Sequence, residues 1–208
     1  MTLKPPIPRK SIYRFSLYLR CLQGLSRENV ETVSSETLAK AAKVNAAQLR
    51  KDLAYLGNSG RRGFGYNVSD LKDRIDALMG TNQLTPIVLV GVGNLGSALF
   101  SYQGFQEVGF EIAGAFDAAP GRVMPKDSPV EIQPMEQLAA FIADRKITIA
   151  ILAVPAGSAQ AVANQLAGYG IRGILNFSPV LLELPDGVLA HNVNVALELQ
   201  NLAYFIRE

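Results

Sequence analysis

A short apolar run, Ile87 to Val90, leads straight into Gly91-Val92-Gly93-Asn94-Leu95-Gly96, and a helical pattern starts there. Glycines at these three places suit a loop that cradles a pyrophosphate. The first permits a sharp turn, the second lets the backbone approach the phosphates, and the third lets the helix sit close on the strand. The N-terminus of that helix adds free N–H groups and the positive end of its dipole. A second apolar run, Ile112 to Phe116, ends in Asp117, 21 residues beyond Gly96, where a ribose-binding carboxylate is expected. Asp117 would bond the adenosine ribose hydroxyls and repel a 2′-phosphate, which favours NAD over NADP. The other reading, a tight glycine turn beside an ordinary surface aspartate, treats the agreement of strand, spacing and acid as coincidence.

Two more strand ends belong to the same crevice, because ligands bind at the carboxyl edge of such sheets. Val154-Pro155-Ala156-Gly157-Ser158 opens a helix, and Asn176-Phe177-Ser178-Pro179 could offer an amide and an aromatic ring to a nicotinamide. Both segments also fit plain turn chemistry. Catalytic groups are scarce. His191 is the one histidine and stands beside Asn192-Val193-Asn194, away from any obvious acid–base partner. Lys126 and Lys146 have no paired acid, and 29 residues after Pro179 are too few for a substrate domain. A domain that binds a dinucleotide and leaves it unchanged has the profile of a sensor, not an enzyme.

The elements that position these residues alternate. Strand signals at 87–90, 112–116, 147–154 and 173–176 are separated by helical stretches at 94–107, 136–145 and 159–167, which predicts an α/β domain with a parallel sheet of Rossmann type. A last amphipathic helix is expected from Val195 to Arg207. Residues 1–84 differ in texture, with fourteen bases against seven acids for a net +7, while the remainder sums to −5. Such asymmetry suits a polyanionic partner for one half, although a solvated basic surface would carry the same charge. Ile12, Phe15, Leu19 and Leu22 predict a first helix ending near Gly24, and Ser34 or Ser35 can cap a second. Asn45 caps a third over Asn45 to Leu56, with Gln48 placed to return the capping bond, and with Gln48, Lys51 and Tyr55 on its exposed side. The glycine-rich stretch Gly57 to Tyr66, carrying Arg61 and Arg62, reads as a β-hairpin wing. Ser69 then caps a fourth helix that ends at Gly80.

The 208 residues are 49% hydrophobic and 18% charged, a globular composition. The one cysteine, Cys21, excludes an internal disulfide and a cysteine-cluster metal site. No apolar run is long enough to span a bilayer, and residues 1–10 lack the apolar core of a signal peptide. A cytoplasmic protein without membrane contact and without a metal is expected. The predicted organisation is a winged-helix domain over residues 1–80, a dinucleotide-binding domain over 81–190 and a C-terminal helix over 191–208.

A basic winged helix-turn-helix domain joined to an NAD-type Rossmann domain resembles the Rex family of redox-sensing transcriptional repressors. The resemblance spans nearly the whole chain and rests on Val44-Asn45-Ala46-Ala47-Gln48-Leu49-Arg50-Lys51-Asp52-Leu53, Gly60-Arg61-Arg62-Gly63-Phe64-Gly65-Tyr66, Leu89 to Gly96, and Gly173 to Pro179. It implies a homodimer that binds palindromic double-stranded operators, senses NADH against NAD, releases DNA on binding NADH, and represses genes of respiration and fermentation. It also implies a terminal helix swapped between subunits. In the family, the segment before that helix commonly reads Asn-Val-Asp, its acid pairing with residues that match Arg20 and Tyr102. Here the position is Asn194, which can hydrogen-bond but cannot form the ion pair.

From this reading, the third helix enters a major groove with Gln48 and Lys51 toward base edges and Tyr55 toward base or backbone. Arg50 sits at the flank, for a phosphate or for the fold. Arg61 and Arg62 suit an adjacent minor groove. Tyr102, Phe177 and the partner's last helix are expected to read the nicotinamide. The rival readings are a small NAD-dependent dehydrogenase, a CoA-binding module, and a winged helix that binds protein. Asp117 counts against CoA, whose ribose 3′-phosphate would lie close to the carboxylate.

Overall fold

Pro8 has no N–H to donate, but its carbonyl accepts from Ser11 and Ile12, and helix α1 runs from it over Arg9–Arg27. The computed structural model describes residues 7–57, 60, 64–120 and 131–207. It divides into two units, Met1–Gln83 and Leu84–Glu208.

In the N-terminal unit α1 is followed by β1 (Thr32–Val33), α2 (Ser35–Ala41), α3 (Ala46–Leu53), β2 (Tyr66–Asn67) and α4 (Val68–Met79). Phe15, Tyr18, Leu19 and Leu22 bury one face of α1 against Leu38, Leu49, Leu53, Leu71 and Ile75. The caps at Ser34 and Asn45 form as expected, each side chain accepting a backbone N–H, from Thr37 and Ala47 respectively. Three expectations need correction. Helix α1 passes Gly24 and ends at Arg27, because Leu25 still packs on the core and offsets the glycine's weak helix preference. Asn67, not Ser69, caps α4 by accepting the Asp70 N–H. The strand that returns from the glycine-rich stretch pairs antiparallel with β1, so its partner precedes α2.

The C-terminal unit holds β3 (Thr85–Val90), α5 (Asn94–Phe100), α6 (Gly104–Glu107), β4 (Phe110–Asp117), β5 (Ile132–Pro134), α7 (Leu138–Arg145), β6 (Ile149–Leu152), α8 (Ala156–Gly168), β7 (Gly173–Asn176), β8 (Leu189–Asn192) and α9 (Val195–Phe205). The six strands lie in the order β5-β4-β3-β6-β7-β8, every neighbouring pair parallel. This is the doubly wound order whose switch point falls between the first and fourth strands, here β3 and β6. Val88, Val90, Ala150 and Leu152 pack under α7 and α8, while Ile87, Leu89 and Ile151 face Leu99, Phe100 and Phe105.

Strands β5 and β8 were not expected. Both lie at sheet edges, where short and partly polar sequences such as Ile-Gln-Pro and Leu-Ala-His-Asn suffice. The helix expected over 94–107 is broken at Ser101–Gln103. Ser101 Oγ donates back to the Ser97 carbonyl, and Gly104 lies so close under the Tyr102 ring that a Cβ there would be 2.4 Å from it. Among the described residues no helix is long and apolar enough to cross a membrane.

Candidate functional site

The carboxyl ends of β3 and β6 diverge into a cleft of about 510 Å³. Gly91 turns the chain at φ +92°, and a Cβ there would sit 2.6 Å from the Ala153 carbonyl oxygen. At Gly96 a Cβ would fall 2.0 Å from the Gly91 carbonyl oxygen, so only glycine lets α5 start this close to the strand. Asp117 closes the loop from the next strand. Its Oδ2 accepts the Val92 N–H at 2.7 Å, and its Oδ1 accepts the Ala119 N–H at 2.8 Å. One carboxylate therefore shapes the glycine loop and leaves lone pairs toward the cleft, where a ribose diol would donate. The wall of Val90, Ala118, Met135 and Val162 is apolar and suits a flat base.

Of the residues expected to hold the cofactor, Gly91, Gly93, Asn94, Leu95, Asp117 and Pro155 line this cleft. Val92 and Gly96 are buried behind it. Tyr102 is exposed in the break between α5 and α6, edge-on to Phe105 at 5.2 Å. The last segment needs correction. Asn176 is fully buried and turned inward, its amide donating to the Val180 carbonyl and to Asn192 Oδ1, both at 2.8 Å, while its own oxygen accepts the Ser178 N–H. Ser178 Oγ donates to the Val154 carbonyl at 2.7 Å. Buried polar groups have to find partners, and these two find them in the fold, stapling β7 to β8 and to the end of β6. Phe177 packs on the Ile87, Leu89 and Ile151 side of the sheet, and Pro179 is exposed. Met135, Ala118 and Val162 escaped the sequence reading. Met135 follows the short edge strand β5, whose sequence carries no strand signal of its own.

The second constellation is on α3. Lys51 is exposed, and Arg50 reaches α2, its Nη1 donating to Ser35 Oγ at 3.1 Å and Glu36 Oε1 at 3.2 Å. That pair is well exposed and holds the fold only weakly. Gln48 and Tyr55 are half-buried, which corrects the expectation of full exposure. Tyr55 lies in a 3-10 turn, Ala54–Leu56, that tightens the end of α3 and turns the ring onto the core. Gln48 does not return a capping bond. Its Nε2 donates to Asp52 Oδ1 at 3.0 Å.

Asp52, part of the motif that carries the family resemblance but given no role there, is buried on the core side of α3. Its carboxylate takes a two-pronged contact from Arg14, with Nη2 at 2.7 Å from Oδ1, and the Tyr18 hydroxyl at 2.8 Å. Burial alone would push the Asp52 carboxyl up, but hydrogen bonds led by Arg14 and Tyr18 hold it below its ordinary value. Burial, with the bond to Asp52, pushes the Tyr18 hydroxyl well above the ordinary phenol range. The sequence did hold a signal: an acid on the same stripe as Leu49 and Leu53, and an Arg and a Tyr spaced i, i+4 on α1. Arg61 and Arg62 lie outside the described residues.

Arg20 is exposed on α1, and Asn194 caps α9, its Oδ1 accepting the N–H groups of Ala196 and Leu197. No side chain of α9 is buried. Val195, Leu199, Leu202 and Ile206 form one exposed apolar stripe, and Leu197 and Tyr204 stand on the opposite face. Among the described residues, no group of three or more His, Cys, Asp or Glu side chains is placed to hold a metal ion.

Comparison with known proteins bears on both constellations. Residues 6–54 match the family model described as "Putative DNA-binding protein N-terminus", and residues 82–180 match that of the CoA binding domain. The chain is 45% identical over 198 residues to the redox-sensing transcriptional repressor Rex of Streptomyces coelicolor, covering 95% of this chain and 77% of that protein. It is 44% identical over 198 residues to the protein of the same name from Pelotomaculum thermopropionicum, covering 95% and 93%. Among solved structures, RSP in complex with β-NAD⁺ and operator DNA aligns with a TM-score of 0.89 at 35% identity, over 98% of this chain and 94% of that one. RSP in complex with β-NADH aligns at 0.85 and 34%, over 98% and 95%.

Proposed function

The chain belongs to the Rex family of redox-sensing transcriptional repressors, and from that premise we propose that it binds operator DNA through its N-terminal unit, holds NADH or NAD in the cleft of its C-terminal unit, and releases the DNA when NADH is bound. The observation that supports this best is the joint lock of Gly91, Gly96 and Asp117 at the switch point of the sheet, a geometry suited to a phosphate loop and a ribose acceptor. The function is regulatory, not enzymatic. A domain boundary near residue 80 follows from the same reading, as does a cytoplasmic site of action on genes of respiration and fermentation, while the expected boundary at 190 falls inside β8 and moves past Asn192.

On the DNA side, Lys51 and Gln48 face base edges, Tyr55 and Arg50 support the helix at its flanks, and Arg61 and Arg62 reach the minor groove. A homodimer supplies two such helices, so the operator is a palindrome. The exposure of α9 supports its exchange between subunits: a helix apolar on two opposite faces asks to be buried between two surfaces, and a second copy of this chain provides them. Arg20, Tyr102 and Asn194 are assigned to the switch, with Asn194 contributing a neutral amide where an acid would contribute charge. Tyr102 reads the nicotinamide, whose charge is what distinguishes NAD from NADH. Hundredfold release of DNA needs a coupling of about 2.7 kcal/mol, within the usual allosteric range. CoA, which the matched domain family also suggests, would bring a 3′-phosphate against Asp117.

The test is selection of duplexes from a random pool by gel shift, followed by challenge with NADH, NAD and CoA in separate lanes. A palindrome released by NADH alone is the expected result. Release by CoA, or by none of the three, would overturn the sensor reading.

A further inference from the structure

We infer that Asp52 is a positioning residue for sequence reading, holding the Gln48 side chain in place before DNA arrives. This rests on the DNA-binding reading above and adds a residue to it. The carboxylate is 1% exposed and its Arg14 partner 20% exposed. A buried ion pair contributes little net stability, and an apolar side chain of similar volume often serves a core as well or better. The geometry supplies a different use. Arg14 and Tyr18, both on α1, fix the carboxylate from the core side. Gln48, one turn before Asp52 on α3, donates to it from the solvent side. The network thus runs from the core of the unit to the shoulder of the helix that faces the groove, and it ends on a side chain able to read bases.

A free glutamine on a helix surface samples many rotamers, and ordering it on DNA costs affinity. Tied to Asp52 by one amide hydrogen, Gln48 keeps its carbonyl oxygen and its second amide hydrogen in a set direction. That ordering cost is met on folding, and a base that does not match the direction is rejected. Arg14 neutralises the carboxylate, which would otherwise repel the phosphates near it.

The test compares full-length Asp52→Asn, Gln48→Ala, the double variant and Tyr18→Phe on the selected palindrome and its single-base variants. Asp52→Asn and Gln48→Ala are expected to lose about three- to tenfold of discrimination at one shared base pair, with the double variant no worse than either. Tyr18→Phe removes a donor to Asp52 without touching Gln48. It should lower the melting temperature and leave base preference intact. The salt dependence of binding should not change for Gln48→Ala or Tyr18→Phe, which alter no charge and remove no phosphate contact. Equal weakening on every duplex by Asp52→Asn, as for a loss of stability alone, overturns the proposal. Side-chain amide relaxation in the free wild-type protein gives an answer even if Asp52→Asn does not fold. Gln48 should be as rigid as the backbone, and mobility like that of exposed Gln106 refutes the idea. A wild-type protein that selects no duplex fails the DNA-binding reading itself, a distinguishable result.

Discussion

Replacing Leu202 by aspartate separates what α9 does within a subunit from what it does between subunits. Leu202 is 58% exposed in the single chain, and Val195, Leu199 and Ile206 on the same stripe are 65%, 61% and 73% exposed. Full burial of such a side chain stabilises by about 1.5–3 kcal/mol, so covering the exposed part of Leu202 contributes about 1–2 kcal/mol. The stripe together offers about 4–8 kcal/mol of apolar burial to a partner surface. An aspartate forfeits its share and adds the penalty of a buried, unpaired carboxylate, for a total loss of about 3–5 kcal/mol. The dimer carries the substitution twice, so its dissociation constant should rise by at least about two to four orders of magnitude. Folding of the isolated subunit should hardly change, because the position is solvated there and surface substitutions usually stay within about 0.5 kcal/mol. Sedimentation velocity over a dilution series reads the first quantity and a thermal melt at low concentration the second. A dimer that is indifferent to Leu202→Asp refutes the exchange of α9, and so does a wild-type chain that stays monomeric throughout the series.

Gly96→Ala places a methyl group 2.0 Å from the Gly91 oxygen, so α5 has to move off the strand. The C-terminal unit should lose about 1–3 kcal/mol, and calorimetric NADH binding should weaken at least tenfold. Asp117→Ala leaves the Val92 and Ala119 N–H groups without their acceptor, and it should lower the melting temperature together with NADH affinity. A residue that touched only the ribose would lower affinity alone. Because Asp52 is held below its ordinary value in the folded state, its contribution is complete above about pH 4, the unfolded carboxyl range, and fades as the pH falls through the depressed value. Thermal melts below that pH should fall less steeply for Asp52→Asn than for the wild type. Arg61→Ala should lower the slope of log affinity against log salt by about one per subunit and weaken the preference for A·T pairs beside the half-site, read by binding titrations over a salt series on two flanking sequences.

Local chemistry explains which parts were legible in advance. The helix caps at Ser34 and Asn45, the apolar strands β3 and β7, the glycine loop and Asp117 each depend on a few neighbouring residues or a fixed spacing. Edge strands β5 and β8 depend on a neighbour already in place, so three or four ordinary residues suffice and no periodicity marks them. Missing β5 also hid Met135 from the cleft. Asn176 and Ser178 show the reverse error, because turn-like polar residues after a strand look the same whether they face a ligand or staple the sheet.

By itself, the sequence determined that a basic helical half precedes a dinucleotide-type α/β half, and that the glycine loop and Asp117 meet at one crevice. Backbone sterics and strand periodicity act over short stretches and read directly from residue order. Only the tertiary structure decided that Asp52 is buried under Arg14 and Tyr18, 38 and 34 residues away in the chain, and that Gln48 is drawn onto it. It also decided that no side chain of α9 is buried among the described residues. Those outcomes depend on which surfaces meet. Burial raises the cost of an unpaired charge until distant partners are brought together, and no local pattern records which partners they will be.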